Sequence, residues 1–330
     1  MSSVLQGGQR RRPGRRHRRA APLLALVLAA ALVLGVFELR PAGNADRTVR
    51  HGNPPLAPAV ASAKPPRAPR PPAYGRVRAP AGQRLRIAFK HPPTAALLWD
   101  VNTGRVLFAR HPARRLRIAS LTKMMTALVV TDRVGPRARV LITRAAATAR
   151  GSSVGLLPRG KRVSAEALLY GLLLPSGNDA ATALAQKTGG SVPHFVALMN
   201  QRARRMRLTC THFSTPSGLR DRGNASCASD LALLAHAMLA RPRLARVVRS
   251  RAAVLPFPIK GHKLFLFNNN PLLRLHYPGA DGVKTGYTNA AGRCLVATAR
   301  RGDRRLGVVL LHSPDPPGQA QRMLDRAFAR

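Results

Sequence analysis

Ser120 and Lys123 stand three residues apart at the head of the apolar run Leu121 to Val130. On a helix that spacing puts both on one face, so the amine can reach the hydroxyl. A serine hydroxyl attacks a carbonyl only once its proton has been taken. Lys123 can take it if it is held neutral, and burial or a second cation such as Lys284 lowers a lysine pKa. The helix N-terminus adds free N–H groups that can stabilise an oxyanion. Two further clusters extend the set. Ser176-Gly177-Asn178 lies between Leu172-Leu173-Leu174-Pro175 and a new helix from Asp179. Ser176 there can relay a proton beside Lys123, with Asn178 bonding the lysine and a substrate carbonyl, although the same residues make an ordinary capped turn. Lys284-Thr285-Gly286 leads toward the strand Cys294-Leu295-Val296-Ala297. An edge strand can pair with an extended peptide; Gly286 lets the ligand approach, Lys284 attracts a carboxylate, and Thr285 donates a hydrogen bond to it. The chemistry this predicts is acyl transfer on a peptide that ends in a carboxylate.

Other motifs carry less. A second Lys-Thr-Gly, at Lys187, closes a helix, where Lys suits the dipole and Gly the left-handed cap. Gly151-Ser152-Ser153-Val154-Gly155 fits the G-x-S-x-G elbow, which needs a strand before it and a helix after it. Here a helical Arg144–Ala147 precedes it and a turn follows. The histidines show no H-E-x-x-H pair and the cysteines no C-x-x-C, so neither a metal nor a cofactor is expected. Cys294 reads as a buried thiol. Cys210 and Cys227 read equally as a disulfide or as two buried thiols.

Composition sets the setting. The chain has 330 residues and a formal net charge of +44, from 56 Lys and Arg against 12 Asp and Glu. Such a charge suggests nucleic acid, but aromatic content of 4% offers no stacking platform and no basic helix-turn-helix is evident. An anionic cell-envelope polymer or lipid surface suits it better. Residues 1–19 are basic, with seven arginines between Arg10 and Arg19, and Ala20 to Phe37 is an unbroken apolar run of 18 residues. That order predicts a cytoplasmic segment, then a transmembrane signal-anchor or signal peptide, with everything after it exported across the plasma membrane. Residues 38–82 are rich in Pro, Ala and Arg with no hydrophobic period and read as a tether. A folded domain is expected over 83–330.

Within that domain Thr94 to Trp99 and Arg105 to Ala109 read as a hairpin turning at Asn102-Thr103-Gly104. Helices are expected over 121–130, 164–174, 179–187, 192–207, 228–239 and 319–329. Strands are expected over 295–299 and 306–312. Strands at both ends with helices between predict α+β, an antiparallel sheet flanked by helices with a mainly helical subdomain.

The three motifs in this order resemble the S-x-x-K, S-x-N and K-T-G set of penicillin-binding proteins. The surrounding blocks extend the likeness: Ala119–Thr126, Gly151–Leu156, Tyr170–Ala181, Thr211–Phe213, Asp230–Leu234 and Asp281–Thr288. They resemble the serine-type D-Ala-D-Ala carboxypeptidases of peptidase family S11, the low-molecular-mass penicillin-binding proteins. The resemblance implies a β-lactamase/transpeptidase-like fold with Ser120 as the acylated residue and Lys123 as its base. It puts Ser176 and Asn178 in the cleft, Lys284, Thr285 and Gly286 at the terminal carboxylate, and the amides of Ser120 and Tyr287 in the oxyanion hole. Peptidoglycan stem peptides are the implied substrates and β-lactams the implied inhibitors; a D,D-endopeptidase cutting cross-links, or a catalytically silent basic wall-binding protein, are the alternative readings. Glu166 precedes Ser176, so it does not fill the place of a class A β-lactamase deacylation base.

Overall fold

The computed structural model describes residues 85–155, 157–219 and 222–330. The expected segments 1–19, 20–37 and 38–82 lie outside the described residues. Among the described residues no helix is long and apolar enough to cross a membrane.

The chain begins with β1 (Ala95–Asp100) and β2 (Val106–Arg110). The Asp100 carboxylate accepts the amides of Asn102 and Thr103, and Gly104 takes a φ of 76°, which closes the hairpin where its turn residues were expected. After β3 (Leu116–Arg117) a 3-10 turn, Ala119–Thr122, leads into α1 (Lys123–Thr131). Ser120 therefore sits in the 3-10 turn, one step ahead of the α-helix that carries Lys123. Next come β4 (Arg139–Leu141), α2 (Arg144–Ala147), β5 (Arg162–Ser164), α3 (Ala165–Leu173), α4 (Asn178–Gly189) and α5 (Val192–Arg205). Ser164 and Ser191 cap α3 and α5 by accepting the amides of Ala167 and His194. β6 (Ala225–Ser226), α6 (Ala228–Leu239), α7 (Pro242–Arg249) and the hairpin β7 (Ala252–Pro256) with β8 (Lys263–Phe267) follow. The chain then forms α8 (Pro271–Arg274), β9 (Ala280–Thr288), β10 (Gly292–Arg301), β11 (Arg304–Leu311) and α9 (Pro316–Phe328).

The main sheet has five antiparallel strands in the order β2-β1-β11-β10-β9. Strand periodicity sorts its side chains onto two faces. Leu97, Trp99, Val296, Val309 and Leu311 join the larger core under α1 and the helical subdomain. Ala96, Leu98, Leu295, Val308 and Leu310 join a second core under α9. Helix α1 is buried from Lys123 through Val130, and α3, α4, α5 and α6 all contact it. An antiparallel sheet between helices is the α+β arrangement expected.

One placement differs. The expected strand at 294–297 is β10, an interior strand, whereas Lys284-Thr285-Gly286 lies inside β9, the edge strand itself. The alternation of β9 is hidden because Lys284 and Gly286, not apolar residues, occupy its inward positions. Among the described residues strand β9 pairs with β10 alone, which leaves its other side open to a further strand.

Candidate active site

The base of the site is the Lys123 amine, buried at 0% exposure. Its Nζ lies 2.8 Å from Ser120 Oγ, 2.7 Å from Asn178 Oδ1 and 2.8 Å from the carbonyl oxygen of Ser217. The Asn178 amide is oriented by its other end, where Nδ2 donates to the Arg150 carbonyl at 2.7 Å. A carbonyl only accepts, so Oδ1 must face the lysine. Burial pushes Lys123 well below the ordinary lysine value; the Lys284 charge lowers it further and Asp179 opposes. A neutral amine has two N–H donors and one lone pair. Asn178 Oδ1 and Ser217 O are acceptors only, so they take both donors. The lone pair is thereby left to accept the Ser120 O–H, the geometry a general base requires.

Asn178 reaches this point through a pinned loop pair. Its amide N–H donates to the Ser152 carbonyl at 2.7 Å, and Asp179 accepts the Val154 amide at 2.8 Å. Burial raises the Asp179 pKa against the pull of its backbone donors. The G-x-S-x-G look-alike is therefore a wall of the site, not a nucleophile turn. Ser176 is held at φ 71°, a conformation that costs a non-glycine residue about 1–3 kcal/mol. Among the described residues its buried Oγ has no hydrogen-bond partner. The expected contact between Ser176 and Lys123 is thus not made, because Ser120, Asn178 and Ser217 already surround the amine.

Strand β9 supplies the facing wall. Lys284 pairs across with Val296 of the larger core, and Thr285 with Leu295 of the α9 core. Lys284 and Gly286 therefore share one face of β9, and Thr285 and Tyr287 the other. Gly286 is needed for close approach: a Cβ there would stand 3.0 Å from the Ile118 oxygen and 3.2 Å from the Ser120 amide nitrogen. The Lys284 amine is buried, donates to the Thr285 carbonyl at 3.0 Å, and is brought down to about 7 by burial. Ser120, Ser152, Ser176, Thr285, Gly286 and Tyr287 all border one cleft of about 490 Å³. Glu166 lies in the first turn of α3, where Arg243 Nε donates to it at 2.7 Å.

Burying Lys284 links stability to pH. The unfolded lysine keeps its proton up to about 10.5, while the folded one loses it near 7. Between those values the unfolded state binds more protons, so stability rises with pH and the penalty is fully present below 7. Melting temperature should climb from pH 7 to 10, and Lys284→Met should flatten part of that rise. An unchanged slope in the variant would contradict the burial.

Ser217 was not singled out in the sequence, because it contributes a carbonyl. Its loop is tightly held. The Pro216 oxygen accepts Thr126 Oγ1 at 2.6 Å, Gly218 has φ 78° and no room for a Cβ against Ala119, and Asn224 crosses the loop to Ser214 and Thr215. A disulfide joins Cys210 to Cys227, Cα atoms 5.7 Å apart, and so closes the loop that presents Ser217. Closing 17 residues contributes about 3 kcal/mol in the chain-entropy account. Replacing both cysteines by serine should lower the melting temperature by roughly 6–12 °C. Native protein in reductant should fall to the same value, and a reductant-insensitive melt would contradict the bond. Among the described residues three candidate metal ligands approach one another, Cys210, Cys227 and Asp230, and they include both sulfurs of this disulfide.

Comparison with known proteins agrees with this geometry. The profile of peptidase family S11, described as D-alanyl-D-alanine carboxypeptidase, matches residues 84–315. The chain belongs to the peptidase S11 family. This S11 chain is 34% identical to the D-alanyl-D-alanine carboxypeptidase DacF of Bacillus subtilis, over 73% of itself and 63% of that relative. It therefore spans just under two thirds of the length of DacF. It is 37% identical to DacB2 of Mycobacterium tuberculosis, over 72% of itself and 83% of DacB2. Among solved structures, a D-alanyl-D-alanine carboxypeptidase from Mycobacterium tuberculosis superposes with a TM-score of 0.70 at 36% identity, covering 77% of this chain and 96% of that one. The Streptomyces K15 DD-transpeptidase does so with a TM-score of 0.70 at 30% identity, covering 74% of this S11 chain and 100% of its own.

Proposed function

We propose that this S11 chain is a D-alanyl-D-alanine carboxypeptidase that removes the terminal D-Ala from peptidoglycan stem peptides through an acyl-enzyme on Ser120. The observation that carries the reading is the partnering of Lys123, whose two obligate acceptors leave its lone pair to the Ser120 hydroxyl. The stem peptide lies along the open side of β9 as an added strand. Its terminal carboxylate accepts the Thr285 hydroxyl, which borders the cleft, while the buried Lys284 behind it supplies positive charge once that carboxylate returns it to the protonated form. Lys123 takes the Ser120 proton as Oγ attacks the penultimate D-Ala carbonyl. The oxyanion is held by the amides of Ser120 and Tyr287. On collapse the C–N bond breaks, and Lys123 returns the proton to the leaving amine of D-Ala, with the Ser176 hydroxyl turning to bridge the two once substrate is bound. Water then hydrolyses the ester. β-Lactams acylate the same serine.

The setting follows the same reasoning. The apolar run 20–37 behind a basic segment supports a membrane anchor with the enzyme on the outer side. The disulfide between Cys210 and Cys227 supports an oxidising compartment. A second fate for the acyl-enzyme is favoured by the likeness to a DD-transpeptidase: capture by an amine in place of water. Incubation with a D-Ala-D-Ala-terminated pentapeptide, with and without an acceptor amine, separates the two. Free D-Ala with a shortened tetrapeptide is the carboxypeptidase result. A ligated product as the main species would replace hydrolysis by transfer. No D-Ala release from active-site-titrated protein would overturn the assignment.

A further inference from the structure

The hairpin β7–β8 turns an apolar face to solvent. Period-2 alternation points Leu264 and Leu266 into the core and Lys263, Phe265 and Phe267 outward. Val254 lies directly across from Phe265, and Ala252 across from Phe267, so these side chains form one patch. Val254, Phe265 and Phe267 are 55%, 61% and 69% exposed. Exposed Arg249, Arg251, Lys260 and Lys263 flank the patch along the chain, Lys263 on the same strand face as Phe265 and Phe267. Between Asp230 and Asp281 the sequence holds no Asp or Glu at all, against eight Lys and Arg. The segment that forms this face is both apolar and cationic, with no acidic residue of its own.

That pairing selects among occupants. A neutral glycan matches neither the charge nor the bare phenyl rings. A phosphate-rich polymer matches the charge and leaves the rings in water. A second copy of the chain brings the same cations against these. A lipid surface with anionic headgroups offers phosphates to the cations and an acyl boundary to the rings. We propose that the outer face of β7–β8 docks on an anionic membrane surface, with Phe265 and Phe267 entering the headgroup boundary and Arg251, Lys260 and Lys263 on lipid phosphates. A patch this small docks weakly and reversibly, which suits a domain already tethered nearby. The consequence for the enzyme lies in the connection. Asn269, two residues beyond Phe267, borders the catalytic cleft and donates its Nδ2 to the Pro175 carbonyl beside Ser176. Docking therefore sets the rim of the cleft next to the headgroups. This inference does not depend on which acyl-transfer reaction the site performs.

The test uses the full chain reconstituted in vesicles, so that any anchor brings every variant equally to the bilayer. The only native tryptophan, Trp99, is fully buried and gives a constant background. Phe265→Trp reports the patch and Leu141→Trp, on β4 and 44% exposed, serves as a probe elsewhere. With brominated phosphatidylglycerol vesicles the Phe265→Trp emission should fall by about two-fold or more, and with brominated phosphatidylcholine it should not. Arg251→Glu with Lys263→Glu should abolish the quenching, and the Leu141 probe should stay bright. Penicillin labelling of Ser120 verifies folding, and Phe267→Trp replaces any variant that fails it. Unquenched emission on the anionic vesicles, or quenching that survives charge reversal, overturns the proposal.

Discussion

Lys123→Met should leave Ser120 almost unreactive, with the second-order rate of penicillin acylation reduced by about 10²–10⁴-fold. Methionine keeps much of the apolar stem and fills the buried channel, so the change removes the amine with little loss of volume. What disappears is the amine that lies 2.8 Å from Ser120 Oγ, positioned to take its proton. Removal also leaves Asn178 Oδ1 and the Ser217 carbonyl without their donor, at a cost of about 1–3 kcal/mol for each buried acceptor. Loss of a desolvated amine offsets part of that cost, so the variant should remain folded at 25 °C. Stopped-flow acylation with a fluorescent penicillin, beside a circular dichroism melt, checks both parts. A folded Lys123→Met protein acylated within ten-fold of the native rate would remove the lysine from the chemistry.

The second large effect is steric. Gly286→Val should lower acylation and D-Ala release by about 10²–10³-fold, the size of losing an oxyanion donor. Even the first carbon added at Gly286 comes within 3.0–3.3 Å of Ile118 O, Ser120 N and Ala119 Cβ, and the branched valine needs more room. The 3-10 turn has little room to yield, because Gly218 of the Ser217 loop also abuts the Ala119 carbonyl. Strand β9 must move instead, taking Lys284 and the Tyr287 amide with it. The loss should therefore fall in acylation for all substrates, with a far smaller effect on melting temperature. Gly286→Ala should show the same direction with a smaller loss. Comparable acylation rates for all three proteins would mean that β9 does not set the position of the oxyanion site.

Much of this site was legible because its chemistry demands particular side chains at fixed spacing. Ser120 and Lys123 fall on one local turn, and Asn178 is the residue that fixes the direction of the lysine. The hairpin of β1 and β2 and helix α6 were equally readable, since turn residues and helical period agree there. Four features escaped for physical reasons. Ser217 acts through its carbonyl, which every residue type possesses. Strand β9 lacks alternation because its inward positions carry a buried cation and a glycine. The β7–β8 hairpin lacks it because Phe265 and Phe267 are apolar on the outward face too, and Pro256, Pro258 and Gly261 read as punctuation. The cysteine pairing needed the distance between two segments, which 17 residues of sequence separation do not determine.

The most direct measurement is the mass of the covalent species formed during turnover. Protein quenched with acid while cleaving a D-Ala-D-Ala pentapeptide, then digested, should carry the acyl group on the peptide containing Ser120, with one D-Ala released for each group bound. Ser120→Ala should show neither the adduct nor the released D-Ala. An adduct on another residue, or D-Ala release that continues in Ser120→Ala, would contradict the account.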